Sequence, residues 1–282
     1  MRYQLLALDV DGTLLDPVGD LRPTVRQAVL AAQARGLKVV ICTGRRFRTA
    51  RAVAEELGLT GPLVVHNGAL IKDFASGATL HNSYLPSHVY QQGLALLSQV
   101  STPLVYIDAF HEHVDILTCS LERAHPFQRA YLRATADHCR IDVNIDTLPL
   151  HGVVMLSIMA DVTSLSAVRS RVEAALGQHA RVNLLANSHK YQGHILEIIH
   201  PAASKWQALQ QLAAQAGIAP EHIVAVGDDW NDLEMLRHAG LGIAMGNAPD
   251  GVQAVADYVT ASNAEDGLVQ ALDRFVLNPQ HS

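Results

Sequence analysis

Cysteine is scarce: the 282-residue chain has three, Cys42, Cys119 and Cys139. They are widely spaced and odd in number, which argues against a disulfide framework or a zinc-finger spacing and fits a reducing, cytoplasmic compartment. Basic charge is not in excess either. Charged residues are 17% of the chain and the net charge is −6, so no broad basic face is implied and nucleic acid is not an expected partner. An anionic substrate would have to be held by a few local cations or by a metal. Long apolar runs are missing: none approaches the ~18 residues of a membrane span. The apolar stretch in MRYQLLALDVDG is too short for a signal peptide and meets acids at once. There is no internal repeat and no low-complexity segment. The 15 histidines are scattered and form no H-E-x-x-H.

What is present is a chain 49% hydrophobic, enough for a substantial core in one large or two moderate domains. QLLALD, LKVVICTGR and PLVVHNGA read as buried strands, separated by the helical stretches RPTVRQAVLAAQARG and FRTARAVAEELG. Strands that are apolar throughout and alternate with helices predict a parallel sheet covered on both faces. From residue 84 the texture changes. A helix over 86–100 precedes TPLVYIDAF and EHVDILT, two strands in succession. The helix HPFQRAYLRATA, the strand VVMLSIMA, a helix closed by Gly177 and the strands ARVNLLAN and GHILEIIH follow. Consecutive strands without a helix between them predict antiparallel pairing. From Ser204 the first texture returns, with SKWQALQQLAAQAG, HIVAVGDD, NDLEMLRHAG, LGIAMGNA and a final helix near 267–276. The expected architecture is α/β, a Rossmann-like doubly wound parallel-sheet core over 1–83 and 195–282, with an inserted α+β domain over 84–194.

Ligands of open α/β sheets bind beyond the carboxyl ends of the strands. Those ends carry Asp9-Val10-Asp11, Thr43-Gly44-Arg45, His66-Asn67-Gly68 and Gly227-Asp228-Asp229, with Asn231 and Asp232 just beyond. Five neighbouring aspartates cannot all ionise without a counter-charge. A hard divalent cation supplies one, and carboxylate oxygens suit magnesium. Asp228, Asn231 and Asp232 could instead cap the following helix. Thr43 and Gly44 suit a phosphate at a helix mouth, although Thr-Gly also makes an ordinary turn. Lys205, at a helix start where the dipole disfavours a cation, could pair with Asp9 and with a phosphoryl group. Cys42 reads as core. His111 and His113 read as a solvated pair. His189, Lys190 and Tyr191 read either as a surface turn or as facing substrate.

This constellation resembles the haloacid dehalogenase superfamily of aspartate-nucleophile hydrolases. Its four motifs occur in order: DVDGT at 9–13, ICTGR at 41–45, Lys205, and GDDWND at 227–232. The insertion, HNGA at 66–69 and the closing DYVTASNAEDGLVQAL resemble the Cof-type (subclass IIB) sugar-phosphatase-like group. One departure stands out: the family's G-x-S-K-G lysine motif has Ala202, Ala203 and Trp206 around the lysine here. Trp206 could alter the local packing or narrow the site.

The resemblance implies a Mg2+-dependent phosphatase of small phosphorylated metabolites, sugar phosphates or related cofactors, and neither nucleic acid nor membrane as partner. It implies Asp9 as nucleophile and Asp11 as general acid and base. Residues two apart on a strand project to one side, so both can reach one substrate. Metal ligands would be Asp9, the Asp11 carbonyl and Asp228, with Asp232 weaker or more remote. Thr43, Gly44, Lys205, Asn231 and the Val10 amide would hold phosphoryl oxygens. A phosphomutase using the same aspartate pair and a non-catalytic binder of phosphorylated metabolites are the alternatives. Monomer and homodimer both remain open, and specificity is expected in the insertion.

Overall fold

Leu5–Leu8 (β1) is buried at every position. In chain order there follow α1 (Pro23–Ala34), β2 (Lys38–Ile41), α2 (Phe47–Leu57), β3 (Leu63–Val65), β4 (Leu70–Lys72) and β5 (Thr79–Asn82). Then come α3 (Ser87–Ser98), β6 (Leu104–Ile107), β7 (Ile116–Leu117), α4 (Pro126–Ala134), β8 (Cys139–Arg140), β9 (Val153–Ala160), α5 (Val162–Leu176), β10 (Arg181–Asn187) and β11 (Gly193–Ile199). The chain closes with α6 (Lys205–Gln215), β12 (Ile223–Gly227), α7 (Leu233–His238), β13 (Leu241–Ala244), α8 (Asp250–Gln253), β14 (Tyr258–Val259) and α9 (Gly267–Leu272). The computed structural model describes residues 2–109, 113–141, 143–147, 152–187 and 193–278. It divides into two compact units, residues 1–81 with 204–282, and residues 82–203.

The first unit is built on a five-stranded parallel sheet in the order β14-β13-β12-β1-β2. Alternation along β1 turns Leu5 and Ala7 toward Trp206, Leu209, Met235 and Val252 of α6, α7 and α8. Leu6 and Leu8 face the other way and are equally buried. That is why β1 is apolar at every position. α1 begins on Pro23 and buries Val25, Ala28, Val29 and Ala32. Pro23 has no amide proton to lose in a first turn. α2 ends on Gly58, whose left-handed φ of 73° closes the helix.

The third strand behaves differently from its expectation. β3 joins β2 through one parallel bridge, Cys42–Val64, and then turns back into an antiparallel hairpin with β4. With β5 it makes a separate three-stranded sheet.

The second unit holds a six-stranded sheet in the order β10-β11-β9-β6-β7-β8. Its pairings are antiparallel except β7 with β8. Leu156, Ile158, Leu196 and Ile198 pack there with Val89 and Leu94 of α3 and Leu165, Val168 and Val172 of α5. The expected boundary at 194/195 falls at 203/204. The reason is β11, which is bonded along its length to β10 and along six residues to β9. EHVDILT yields only the two-residue β7, and His113 lies outside it with a left-handed φ of 64°. His111, His189, Lys190 and Tyr191 lie outside the described residues. Among the described residues no helix is long and apolar enough to cross a membrane.

Candidate active site

The parallel register sets the site. Leu8 is level with Ile41 on one side and Val226 on the other. The next residues of all three strands, Asp9, Cys42 and Gly227, therefore emerge side by side at the carboxyl edge. Asp9 is buried and its amide donates to the Val226 carbonyl at 3.1 Å. The Val10 carbonyl accepts the Leu14 and Leu15 amides, and Gly12 takes a φ of 80°, so the chain curls back at once.

Lys205 opens α6, capped by Ser204, whose side chain accepts the Gln207 amide. Its side chain is fully buried. Nζ contacts Asp9 Oδ1 at 2.8 Å and Asp232 Oδ1 at 2.7 Å. Burial opposes the charged ammonium, but Asp232 and Asp9 outweigh it and hold the lysine pKa above its ordinary value. The buried carboxyl of Asp9 is pushed up to about 7: desolvation dominates, Lys205 opposes it, and Asp232 adds repulsion. Asp228 is raised as well, by burial and then by Asp9 and Asp232. Burial above all pushes the Cys42 thiol up, with Lys205 opposing it and Asp232 and Asp9 adding to it, as befits a core residue beside the cluster.

Asp232 is fully committed. Besides Lys205, it accepts the amides of Asp228 and Asp229 on Oδ2, at 3.0 and 3.1 Å. With Asp229 it also forms a reciprocal cap on the short turn Trp230–Asp232. Capping and counter-charging are thus done by the same side chain. Asp228 Oδ1 accepts the Thr13 hydroxyl at 2.8 Å, and Oδ2 accepts Asn247 Nδ2 at 3.3 Å. Thr13, read from sequence only as part of the turn, therefore orients an acid 215 residues away.

Asp11 is not in that cluster. Its carboxylate accepts two bonds from Arg45, from Nε at 2.7 Å and Nη2 at 2.6 Å. Thr43 Oγ1 accepts the Arg45 amide at 3.1 Å, which leaves the Thr43 hydroxyl proton to donate elsewhere. Asn231 Nδ2 donates to Asn67 Oδ1 at 2.8 Å. Gly44 lies against the same Asn67 carboxamide, where a Cβ would come within 2.9 Å of Oδ1. Trp206 sits in the hydrophobic core, with its ring 5.9 Å from that of His238.

The donor set can be tested for a cation. Carboxylate oxygens of Asp9, Asp228 and Asp232 lie within 4.8 Å of one another. Three carboxylates face the single ammonium of Lys205, and all the donors are hard oxygens. Such a group fits a divalent cation of the magnesium kind. Asp232 has the least to offer, since its oxygens already hold the Lys205 ammonium and two backbone amides. Gly12 keeps the space open, because a Cβ there would lie 2.1 Å from Asp228 Oδ2.

The sequence model described as haloacid dehalogenase-like hydrolase matches residues 6–272. The chain is 29% identical over 279 residues to the 5-amino-6-(5-phospho-D-ribitylamino)uracil phosphatase YitU of Bacillus subtilis, covering 96% of this chain and 97% of that protein. It is 28% identical over 278 residues to the pyridoxal phosphate phosphatase YbhA of Escherichia coli, again over 96% and 97% of the two. The crystal structure of a haloacid dehalogenase-like hydrolase from Bacteroides thetaiotaomicron superposes with a TM-score of 0.80 at 27% identity, over 97% of this chain and all of that one.

Proposed function

The chain belongs to the haloacid dehalogenase-like hydrolase family and is a phosphatase; we propose that it hydrolyses small phosphorylated metabolites in the cytoplasm, with magnesium, through an aspartyl-phosphate on Asp9. The observation that carries this reading is the buried Asp9 carboxylate, paired with Lys205 and within reach of Asp228 at the end of the central strand. A nucleophile of this kind must be desolvated yet become anionic as phosphate approaches; burial meets the first demand and Lys205 favours the second. Asp9, the Asp11 carbonyl and Asp228 would hold the magnesium, with Asp232 restraining Lys205 and Asp228 from behind. When bound, the metal supplies the charge neutralisation that two anions meeting in one pocket require.

In the first step an Asp9 oxygen forms a bond to phosphorus as the bond to the leaving oxygen breaks. Asp11 gives that oxygen its proton. In the second step Asp11 takes a proton from water, whose oxygen attacks phosphorus. The Asp9–phosphorus bond then breaks, releasing inorganic phosphate and restoring the carboxylate. Both Asp11 oxygens accept from Arg45 in the structure, so the pair must open and Asp11 must take up a proton from solvent or substrate before it can donate. Lys205, the Thr43 hydroxyl, the Gly44 and Val10 amides and Asn231 would hold the non-bridging oxygens.

The substrate class, sugar phosphates or related phosphorylated cofactors, is supported by relatives named for a phosphoribitylamino-uracil and for pyridoxal phosphate. A panel of phosphorylated metabolites, assayed with magnesium on wild type and Asp9→Asn, tests the proposal. Free phosphate released by wild type and not by the variant supports it. Equal turnover by the two proteins would sink it.

A further inference from the structure

The turn His66–Gly68 carries three successive left-handed residues, with φ of 49°, 55° and 88°. Two of them bear a β-carbon, for which this region is unfavourable, and all three are buried. The turn's backbone is tied to the second motif: the His66 amide donates to the Arg45 carbonyl at 3.0 Å and the Asn67 amide to the Thr43 carbonyl at 3.0 Å. Gly68 lies directly beneath the start of α6, where a Cβ would fall 2.1 Å from the Ser204 carbonyl oxygen. Asn67 meets the fourth motif through its bond from Asn231 Nδ2 at 2.8 Å. One turn thus touches three of the four stretches assigned to the phosphoryl group.

We propose that Asn67 is a positioning residue that fixes the carboxamide of Asn231 for the phosphoryl group; the inference rests on the phosphatase reading above. Asn231 Oδ1 is buried and finds no donor among the described residues. Rotation of that carboxamide is therefore set by what Nδ2 contacts. Nδ2 carries two protons; Asn67 takes one and leaves one for a phosphoryl oxygen. A left-handed Asn67 is what brings its side chain to Asn231 while its amide stays on Thr43, and asparagine tolerates this conformation better than most residues. Gly44 completes the arrangement, since a Cβ there would push against Asn67 Oδ1 and shift the carboxamide.

A double-mutant cycle tests the proposal. Asn67→Gly keeps the left-handed backbone at no steric cost and removes only the side chain. It should retain the wild-type thermal transition and lose about tenfold in kcat/KM on p-nitrophenyl phosphate, as for one hydrogen bond missing at the transition state. Asn231→Ala should lose more, and the double variant no more than Asn231→Ala alone. The same cycle is read as the Kd of inorganic phosphate in the presence of magnesium. Additive losses, wild-type activity in Asn67→Gly, or a collapsed thermal transition in that variant would each overturn the positioning role. Turnover with an additive cycle defeats the role of Asn67 and leaves the phosphatase reading standing. A non-additive phosphate cycle in a wild type that turns nothing over does the reverse.

Discussion

Asp9 and Asp11 stand two residues apart and the structure gives them different surroundings: one is buried on Lys205, the other half-exposed on Arg45. Their substitutions should differ in kind. Asp9→Asn removes the nucleophile and should cut kcat by at least about a thousandfold with any leaving group. Asp11→Asn should keep substrate affinity and lose about 10²–10⁴ in kcat on alkyl phosphates. On p-nitrophenyl phosphate, whose leaving group needs no proton, its loss should be smaller. Steady-state kinetics on the two substrates separate these outcomes; equal losses for Asp11→Asn on both would contradict an acid role. Asp9, Asp11, Thr43 and Asp228 stand out in the sequence because each sits at a strand end within a motif, and Lys205 because it opens a helix within one. The bonds from Arg45 to Asp11 and from Thr13 to Asp228 do not. They join side chains whose proximity depends on rotamers and on a sheet register that composition does not encode.

At the scale of elements, the parallel core could be read from apolar runs alternating with helices. The hairpin of β3 and β4 could not, because its strands are three residues each and the turn between them reads as a loop. β8 escaped for the same reason, with only two residues. The boundary expected at 194/195 lies at 203/204 because β11 is as apolar as a core strand and only its pairing reveals where it belongs. The contact of Gly68 with Ser204 makes a prediction about an element. Gly68→Ala would drive a methyl into the carbonyl that starts α6, at a φ of 88° that alanine resists. A loss of about 2–4 kcal/mol is expected in chemical denaturation. Since the displaced helix starts with Lys205, kcat should fall even where the protein remains folded. An unchanged midpoint and rate would show that the turn does not brace α6.

For the whole molecule, the carboxylate cluster ties stability to pH and to metal. Asp9 titrates near 7 in the metal-free native state, against about 3.9 for an unfolded aspartate. Between these values the native state binds more protons than the unfolded one, so Asp9 makes metal-free stability fall as pH rises. Divalent cations favour the ionised site. The rise in Tm on adding millimolar magnesium should therefore be greater at about pH 8 than at about pH 5.5, by roughly 3 °C or more. Thermal melts at the two pH values check this, with Asp9→Asn expected to lose most of the difference. A magnesium shift independent of pH would count against a site built on Asp9.

The order of the parallel sheet carries one more consequence. β1 lies between β2 and β12, and its partner residues in β12 begin at Ile223. The nucleophile thus precedes in sequence, by a long stretch of chain, the strand beside it, Lys205, Asp228 and Asp232. A nascent or proteolysed fragment ending before residue 204 would hold Asp9 without its counter-charge, and β1 with one edge unpaired. Such fragments would be inert toward phosphate esters and prone to associate through that edge. Turnover therefore reports that β1 has met the segments that follow residue 203, and it can be used to time that step of folding.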